Sequence, residues 1–258
     1  MTPTALLALD LDGTLLDAAG QPAPGLISEL LGWSEAGAHV AVITARGGKT
    51  PLINGWPLHS VSRCYGAWLQ TADTVRWSRT LPPATLQMAM ARLNRWELNT
   101  SGGGTILVTE DPRDLLRSSD PSFAAQWREA RGVLKLAHGQ PDAARLDEVQ
   151  AQWSLLPGVK VIRERRDRLA LVRADACKGS AVQALAAQLG VPRGRIIVAG
   201  DGSADAAMLP HAGTFIRVGN HPALAGATHH VPAPQDLPGL LGALRAERLF
   251  TLQGQRGT

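Results

Sequence analysis

Every side chain in the run "ALLAL" (residues 5–9) is apolar, and the run stops at Asp10. An apolar stretch of that length fits a strand buried on both faces, as in a parallel sheet. "PGLISELLGWSEAG" (24–37) follows with apolar residues at helical spacing and ends at Gly37, a suitable left-handed cap. "HVAVIT" (39–44) predicts a second buried strand, so the chain opens as a strand–helix–strand unit. The same rhythm returns late: a helix over 178–190, a strand at 195–200, a helix starting in 203–209, a strand at 214–219 and a last helix over 236–249.

The middle has another rhythm. Helices are predicted at 83–98, 122–131 and 141–153, and strands at 104–109 and 133–137. "VKVIRE" and "LALVRA" then read as a hairpin with a charged tip at Arg165–Arg168, an antiparallel feature foreign to the flanking units. "SGGG" (101–104) reads as a local loop. The expected architecture is α/β. Residues 1–80 and 173–258 form a doubly wound parallel-sheet core, and residues 81–172 form an inserted α+β cap.

Composition adds little to that picture and removes several options. The 258 residues are 45% apolar and 19% charged, ordinary for a globular chain, with no uncharged apolar run long enough to span a bilayer. The N-terminus lacks the basic start of a secretory signal, and two cysteines (Cys64, Cys177) cannot build a disulfide framework; a reducing cytoplasm is expected. The net charge of +4 is dispersed except in "RERRDR" (163–168), where acids interrupt the arginines, so no nucleic-acid partner is expected. Lysine is scarce: Lys49, Lys135, Lys160 and Lys178 are the only four. Trp96, Trp127 and Trp153 fall at apolar positions of cap helices and are expected to pack there. The seven histidines show no metal-ligand spacing. Oligomeric state is not readable from the chain.

The chemistry is expected at one sheet edge. In doubly wound sheets, ligands bind beyond the carboxyl ends of the strands. The predicted strands end there in Asp10, Thr44 and Asp201, while Asp12, Asp205 and Lys178 follow on loops or helix starts. Two carboxylates about 4–5 Å apart repel by roughly 3–4 kcal/mol at an effective dielectric near 20. Asp10, Asp12, Asp201 and Asp205 in one volume therefore call for a cation, and oxygen-only donors favour Mg²⁺. Beside such an ion Asp10 can attack phosphorus, Asp12 can serve as acid and then base, and Gly13 can turn backbone N–H groups toward phosphoryl oxygens. Thr44 can donate its hydroxyl, and Lys178 can balance charge.

Simpler readings of single motifs fail in combination. "DLDGTL" alone is a hairpin signal, but three further motifs follow it in order. A calcium loop would need its glycine two positions later and a glutamate where Gln21 stands. "GDGSAD" (200–205) lacks the third glycine of a dinucleotide fingerprint, and Asp201 would repel a pyrophosphate.

"DLDGTL" (10–15), Thr44 after a strand, Lys178–Gly179 and "GDGSAD" together resemble the four motifs of the haloacid dehalogenase superfamily of phosphatases. The insert is similar to the cap of Cof-type sugar phosphatases and sucrose-phosphate phosphatases. The resemblance implies Mg²⁺ held by Asp10, the backbone carbonyl of Asp12 and Asp201, with Asp205 holding the metal's waters. It implies that Asn220 faces the phosphate site, and that Arg46, in Thr44-Ala45-Arg46, keeps the polar end of the second motif. Relatives usually carry asparagine where this chain has Ala204. The expected activity is hydrolysis of a small phosphorylated metabolite, a sugar or polyol phosphate. The alternatives are a phosphomutase and a phosphate-binding protein with weak or lost catalysis.

Overall fold

The computed structural model describes residues 3–48, 50–72, 74–93, 104–111 and 115–254. Strand β1 (Leu6–Leu9) lies between β2 (His39–Ile43) and β11 (Ile196–Gly200), parallel to both, with Leu6 opposite His39 and Ile196. Outward from β11 follow β12 (Thr214–Val218) and β13 (His229–Val231), also parallel. Outward from β2 follow parallel β3 (Ser60–Arg63), then antiparallel β4 (Trp68–Thr71) and β5 (Thr74–Ser78). The sheet order is β13-β12-β11-β1-β2-β3-β4-β5.

Helices cover both faces because β1 alternates its contacts. Leu7 and Leu9 pack with α1 (Leu26–Glu35) and α6 (Leu237–Gly254), whereas Leu6 and Ala8 pack with α5 (Lys178–Leu189). A leucine buried this way contributes about 2 kcal/mol. The core is doubly wound. The chain runs from β1 outward to β2 on one side and enters β11 on the other, so the switch point of the fold falls at the carboxyl ends of β1 and β11.

The inserted cap is built on its own sheet, wholly antiparallel, in the order β7-β6-β8-β10-β9. These strands are β6 (Gly104–Thr109), β7 (Leu115–Arg117), β8 (Val133–Gly139), β9 (Val159–Arg165) and β10 (Arg168–Arg173). One face packs on α2 (Pro83–Leu93), α3 (Phe123–Glu129) and α4 (Ala143–Ser154). Trp127 and Trp153 are buried there, and the Trp153 indole donates to the Ala89 carbonyl at 3.3 Å. Trp96, residues 94–98 of the expected helix and "SGG" at 101–103 lie outside the described residues.

Three differences from the sequence reading have physical reasons. Strands β3 to β5 extend the core sheet where no strand is predicted. Ser60 and Ser62 are buried in β3; Ser60 is bonded sideways to His39 (2.8 Å) and Thr71 (2.9 Å) on the adjacent strands, while the Ser62 hydroxyl has no partner among the described residues. Strand β7 is too short to read from three residues. The segment expected to start a helix at 203 is a 3-10 run over Ser203–His211 that contains Pro210, which cannot donate a helical hydrogen bond.

The cap's exit and return segments are tied together. Arg79, just past β5, donates to the Asp175 carbonyl (3.1 Å) and to Ser180 Oγ (2.7 Å), and its backbone N–H donates to the Ala67 carbonyl (2.7 Å).

Candidate active site

Asp10 follows β1 directly, and its N–H continues the ladder to the Ala199 carbonyl of β11 (3.0 Å). Asp201 follows β11 at the same edge. The 3-10 run then turns Asp205 back under it: Asp205 Oδ2 accepts from the N–H groups of Asp201 (3.1 Å) and Gly202 (2.9 Å). Lys178 begins α5 and closes the group from below, donating to Asp10 Oδ1 at 2.5 Å and to Asp205 Oδ1 at 2.6 Å. A cation in a helix's first turn opposes the dipole; here two buried carboxylates outweigh it. The start of α5 is fixed by reciprocal bonds in which Cys177 Sγ accepts from the Ser180 N–H and Ser180 Oγ accepts from the Cys177 N–H, each at 3.2 Å.

Glycine is required where these elements meet. Gly13 has φ +77°, and a Cβ there would sit 2.2 Å from Asp201 Oδ2. A Cβ on Gly179 would lie 2.0 Å from the Ala207 carbonyl oxygen, so only glycine lets α5 approach the 3-10 run. The Gly13 N–H itself donates to the Leu16 carbonyl (2.9 Å).

Carboxylate oxygens of Asp10, Asp201 and Asp205 all lie within 4.8 Å of one another. Burial, and then Asp205 and Asp201, push the Asp10 pKa well above the usual carboxylate value against the pull of Lys178. Burial and then Asp205 raise Asp201 likewise. Burial alone would lower Lys178, but Asp10 and Asp205 hold its ammonium charged, above the ordinary lysine value. Among the described residues three acids face one lysine, and the deficit is one of positive charge. All the donors are hard oxygens, which fits a divalent cation such as Mg²⁺. Asp205 accepts three short bonds, from Lys178 and two backbone N–H groups, whereas among the described residues Asp10 Oδ2 has only a 3.5 Å bond from Thr14, which leaves Asp10 and Asp201 the freer carboxylates for direct ligation.

The fourth acid stands apart. The Asp12 carboxylate is half exposed and bonded to Arg46 through both oxygens, one of them accepting from Nε at 2.8 Å. The expected convergence of four carboxylates is therefore three, because Arg46 supplies Asp12 with a charge partner of its own. Thr44 is buried at the end of β2, and its hydroxyl oxygen accepts from the Arg46 N–H (3.1 Å), tying the second-motif loop together. Asn220 follows β12 on the same sheet edge, is exposed and makes no hydrogen bond among the described residues.

Sequence reasoning missed the seam between core and cap. Lys135 of β8 donates to the Ala45 carbonyl (3.0 Å) and to Glu164 of β9 (2.9 Å), and the Tyr65 hydroxyl donates to the same Glu164 oxygen (3.0 Å). Cys64 and Tyr65 carry φ of +50° and +59°, and burial, then Glu164, raise the Tyr65 pKa. The scarcity of lysine and a single tyrosine in the chain were the available signals. Around these groups, Val108, Leu134, Ala170 and Val172 of the cap pack on Cys64, Ala67 and Trp68 of the core, and Ala204 packs against the same cluster.

A family model described as haloacid dehalogenase-like hydrolase matches residues 7–236. None of the curated proteins compared matches the chain. Among solved structures, a haloacid dehalogenase-like hydrolase from Bacteroides thetaiotaomicron superposes with a TM-score of 0.78 at 22% identity, covering 93% of this chain and 99% of that one. Another Bacteroides thetaiotaomicron protein, described among phosphatases of the haloalkanoate superfamily, gives 0.76 at 20% identity, with 94% of both chains covered. A subclass IIB sugar phosphatase gives 0.74 at 17% identity, covering 94% of this chain and 98% of the other. No described helix is long and apolar enough to cross a membrane.

Proposed function

The chain belongs to the haloacid dehalogenase-like hydrolases, and on that premise we propose that it is a Mg²⁺-dependent phosphatase of a small sugar or polyol phosphate. Residues 1–80 and 173–258 supply the chemistry and residues 81–172 the cap that selects the substrate. Two free cysteines accord with a cytoplasmic setting.

The proposal assigns a role to each group. Asp10 is the nucleophile: a carboxylate oxygen bonds to phosphorus as the ester P–O bond breaks, giving an aspartyl phosphate. Lys178 holds Asp10 in place and offsets charge on the transferring group. Asp12 gives a proton to the leaving alkoxide, then takes one from the water that releases inorganic phosphate and regenerates Asp10. To do so, Asp12 exchanges its bond to Arg46 for one to the leaving oxygen. Thr44 and Arg46 shape the phosphate side of the loop, Gly13 permits the close approach to Asp201, and Asn220 borders the entrance. Asp10 and Asp201, with the Asp12 carbonyl, would hold Mg²⁺, and Asp205 would support its waters. When bound, the ion supplies positive charge to the phosphoryl oxygens.

The observation that carries this reading is the buried Asp10–Lys178–Asp205 contact with Asp201 beside it. Release of phosphate from sugar and polyol phosphates, with and without Mg²⁺, tests it; no release from any ester in the presence of Mg²⁺ overturns it. One observation favours the weakly catalytic alternative: Ala204 packs on the apolar seam in place of the amide that relatives usually carry.

A further inference from the structure

We infer that the alcohol part of the substrate carries a second anionic group, a carboxylate or another phosphoryl group, and that Lys160 binds it. The inference rests on the phosphatase reading and narrows its substrate class.

The four lysines of the chain are a starting point. On the cap sheet, Val108, Lys135, Val172 and Lys160 are cross-strand neighbours in one row. Val108 and Val172 belong to the cluster packed on the core, so the whole row faces the core. Lys135 is neutralised by Glu164 at the seam. Lys160 is half-buried, and its ammonium has no hydrogen bond or ion pair among the described residues. Asp175, the carboxylate acting on it, is already paired with Arg79 and Arg173.

Lys160 lines a cavity of about 400 Å³ between β9 and the start of α5, a size suited to a small ligand. Lys178 lines the same cavity, so the space that Lys160 faces adjoins the residue that holds Asp10 and Asp205. Much of the remaining wall is apolar: Val161, Ile162, Ala176, Ala204 and Ala207. The Tyr65 hydroxyl is committed to Glu164. Ser203, Cys177 and the already bonded Arg163 are the other polar side chains of the lining. An anion would find one unpaired ammonium in surroundings of lowered dielectric, where a charge-assisted bond is strongest. Burial also lowers the Lys160 pKa, as expected of a half-desolvated ammonium lacking its counter-charge.

Arg163 also lines this cavity. Its guanidinium is already bonded to Asp147 (2.7 Å), Gln150 (3.0 Å) and the Arg166 carbonyl (3.0 Å), which leaves Lys160 as the cation there without a counter-charge.

The test uses matched esters: gluconate 6-phosphate against sorbitol 6-phosphate, and glycerate 3-phosphate against glycerol 3-phosphate. Their dissociation constants are measured by calorimetry on the full-length Asp10→Asn chain, and kcat/KM on the wild type with Mg²⁺. The acidic member of at least one pair is expected to win by about ten-fold or more in both readouts. Lys160→Gln should cut that ratio to about two-fold or less, and Lys160→Arg should keep most of it, with circular dichroism confirming the fold of each. Equal treatment of acidic and neutral members, or a preference that survives Lys160→Gln, overturns the inference. Preferential binding without hydrolysis by the wild type overturns the phosphatase reading alone and supports the assignment of Lys160.

Discussion

Two buried lysines do different work in this molecule. At the seam, Lys135 meets one carboxylate, Glu164, with a tyrosine hydroxyl and a backbone carbonyl completing the set. At the sheet edge, Lys178 meets two carboxylates, with Asp201 adding a third. The first arrangement is balanced and its groups are satisfied, so it serves to hold two sheets together. The second is short of positive charge, and folding has gathered acids that repel. Crowded, perturbed carboxylates of this kind are characteristic of functional sites, and under the proposed function an added cation and a phosphoryl group would use them. The contrast separates a fastening from a reactive centre without appeal to resemblance.

Breaking the reactive centre should produce the largest effect. Asp10→Asn keeps the shape and removes the proposed nucleophile, so phosphate release should fall by about 10⁴-fold or more while the thermal transition persists; a progress curve and a melting scan check both. Lys178→Met removes the only ammonium that faces the three acids among the described residues and should cost about 3–5 kcal/mol, read from urea unfolding, with Mg²⁺ restoring part of the loss. Glu164→Ala should cost less, about 2–3 kcal/mol, because Lys135 keeps the Ala45 carbonyl. If Glu164→Ala proves as damaging as Lys178→Met, the distinction between balanced and unbalanced clusters fails. Tyr65→Phe, which deletes one hydrogen bond at the seam, should cost about 1 kcal/mol.

A pH series sharpens the comparison of the two sheets. Each holds a buried histidine bonded to a hydroxyl: His39 with Ser60 in the core, and His138 with Thr105 in the cap. Burial lowers both pKa values to about 4, helped at His39 by the neighbouring His59. The folded chain keeps these rings neutral whereas the unfolded chain protonates them below about 6.5. Their contribution to stability is therefore complete above pH 6.5 and is lost as the pH falls from there toward 4. His138→Gln should flatten that part of the stability curve measured by urea unfolding.

The parallel core was legible because its central strands are wholly apolar and end abruptly in aspartates. The acids at 10, 201 and 205 were legible for the same reason: each breaks or follows such a run. What the sequence did not disclose depends on cross-strand partners. Ser60 and Ser62 make β3 look like a loop until His39 and Thr71 are placed beside it. Asp12 has the same side chain as Asp10, and only the distant Arg46 draws it out of the cluster. Lys135, Glu164 and Tyr65 are separated by up to 99 residues, too far for any local pattern to join them.

The knot formed by Arg79, Asp175 and Ser180 gives the chain the organisation of a cassette. The insert's two ends emerge side by side and are anchored to the body at one spot. A segment of different length and shape can then replace the intervening stretch without prising apart the strands that bear the acids. Grafting a foreign insert between these two points should alter which ester is accepted while the reaction itself persists. In such a design, selectivity and reactivity are inherited separately.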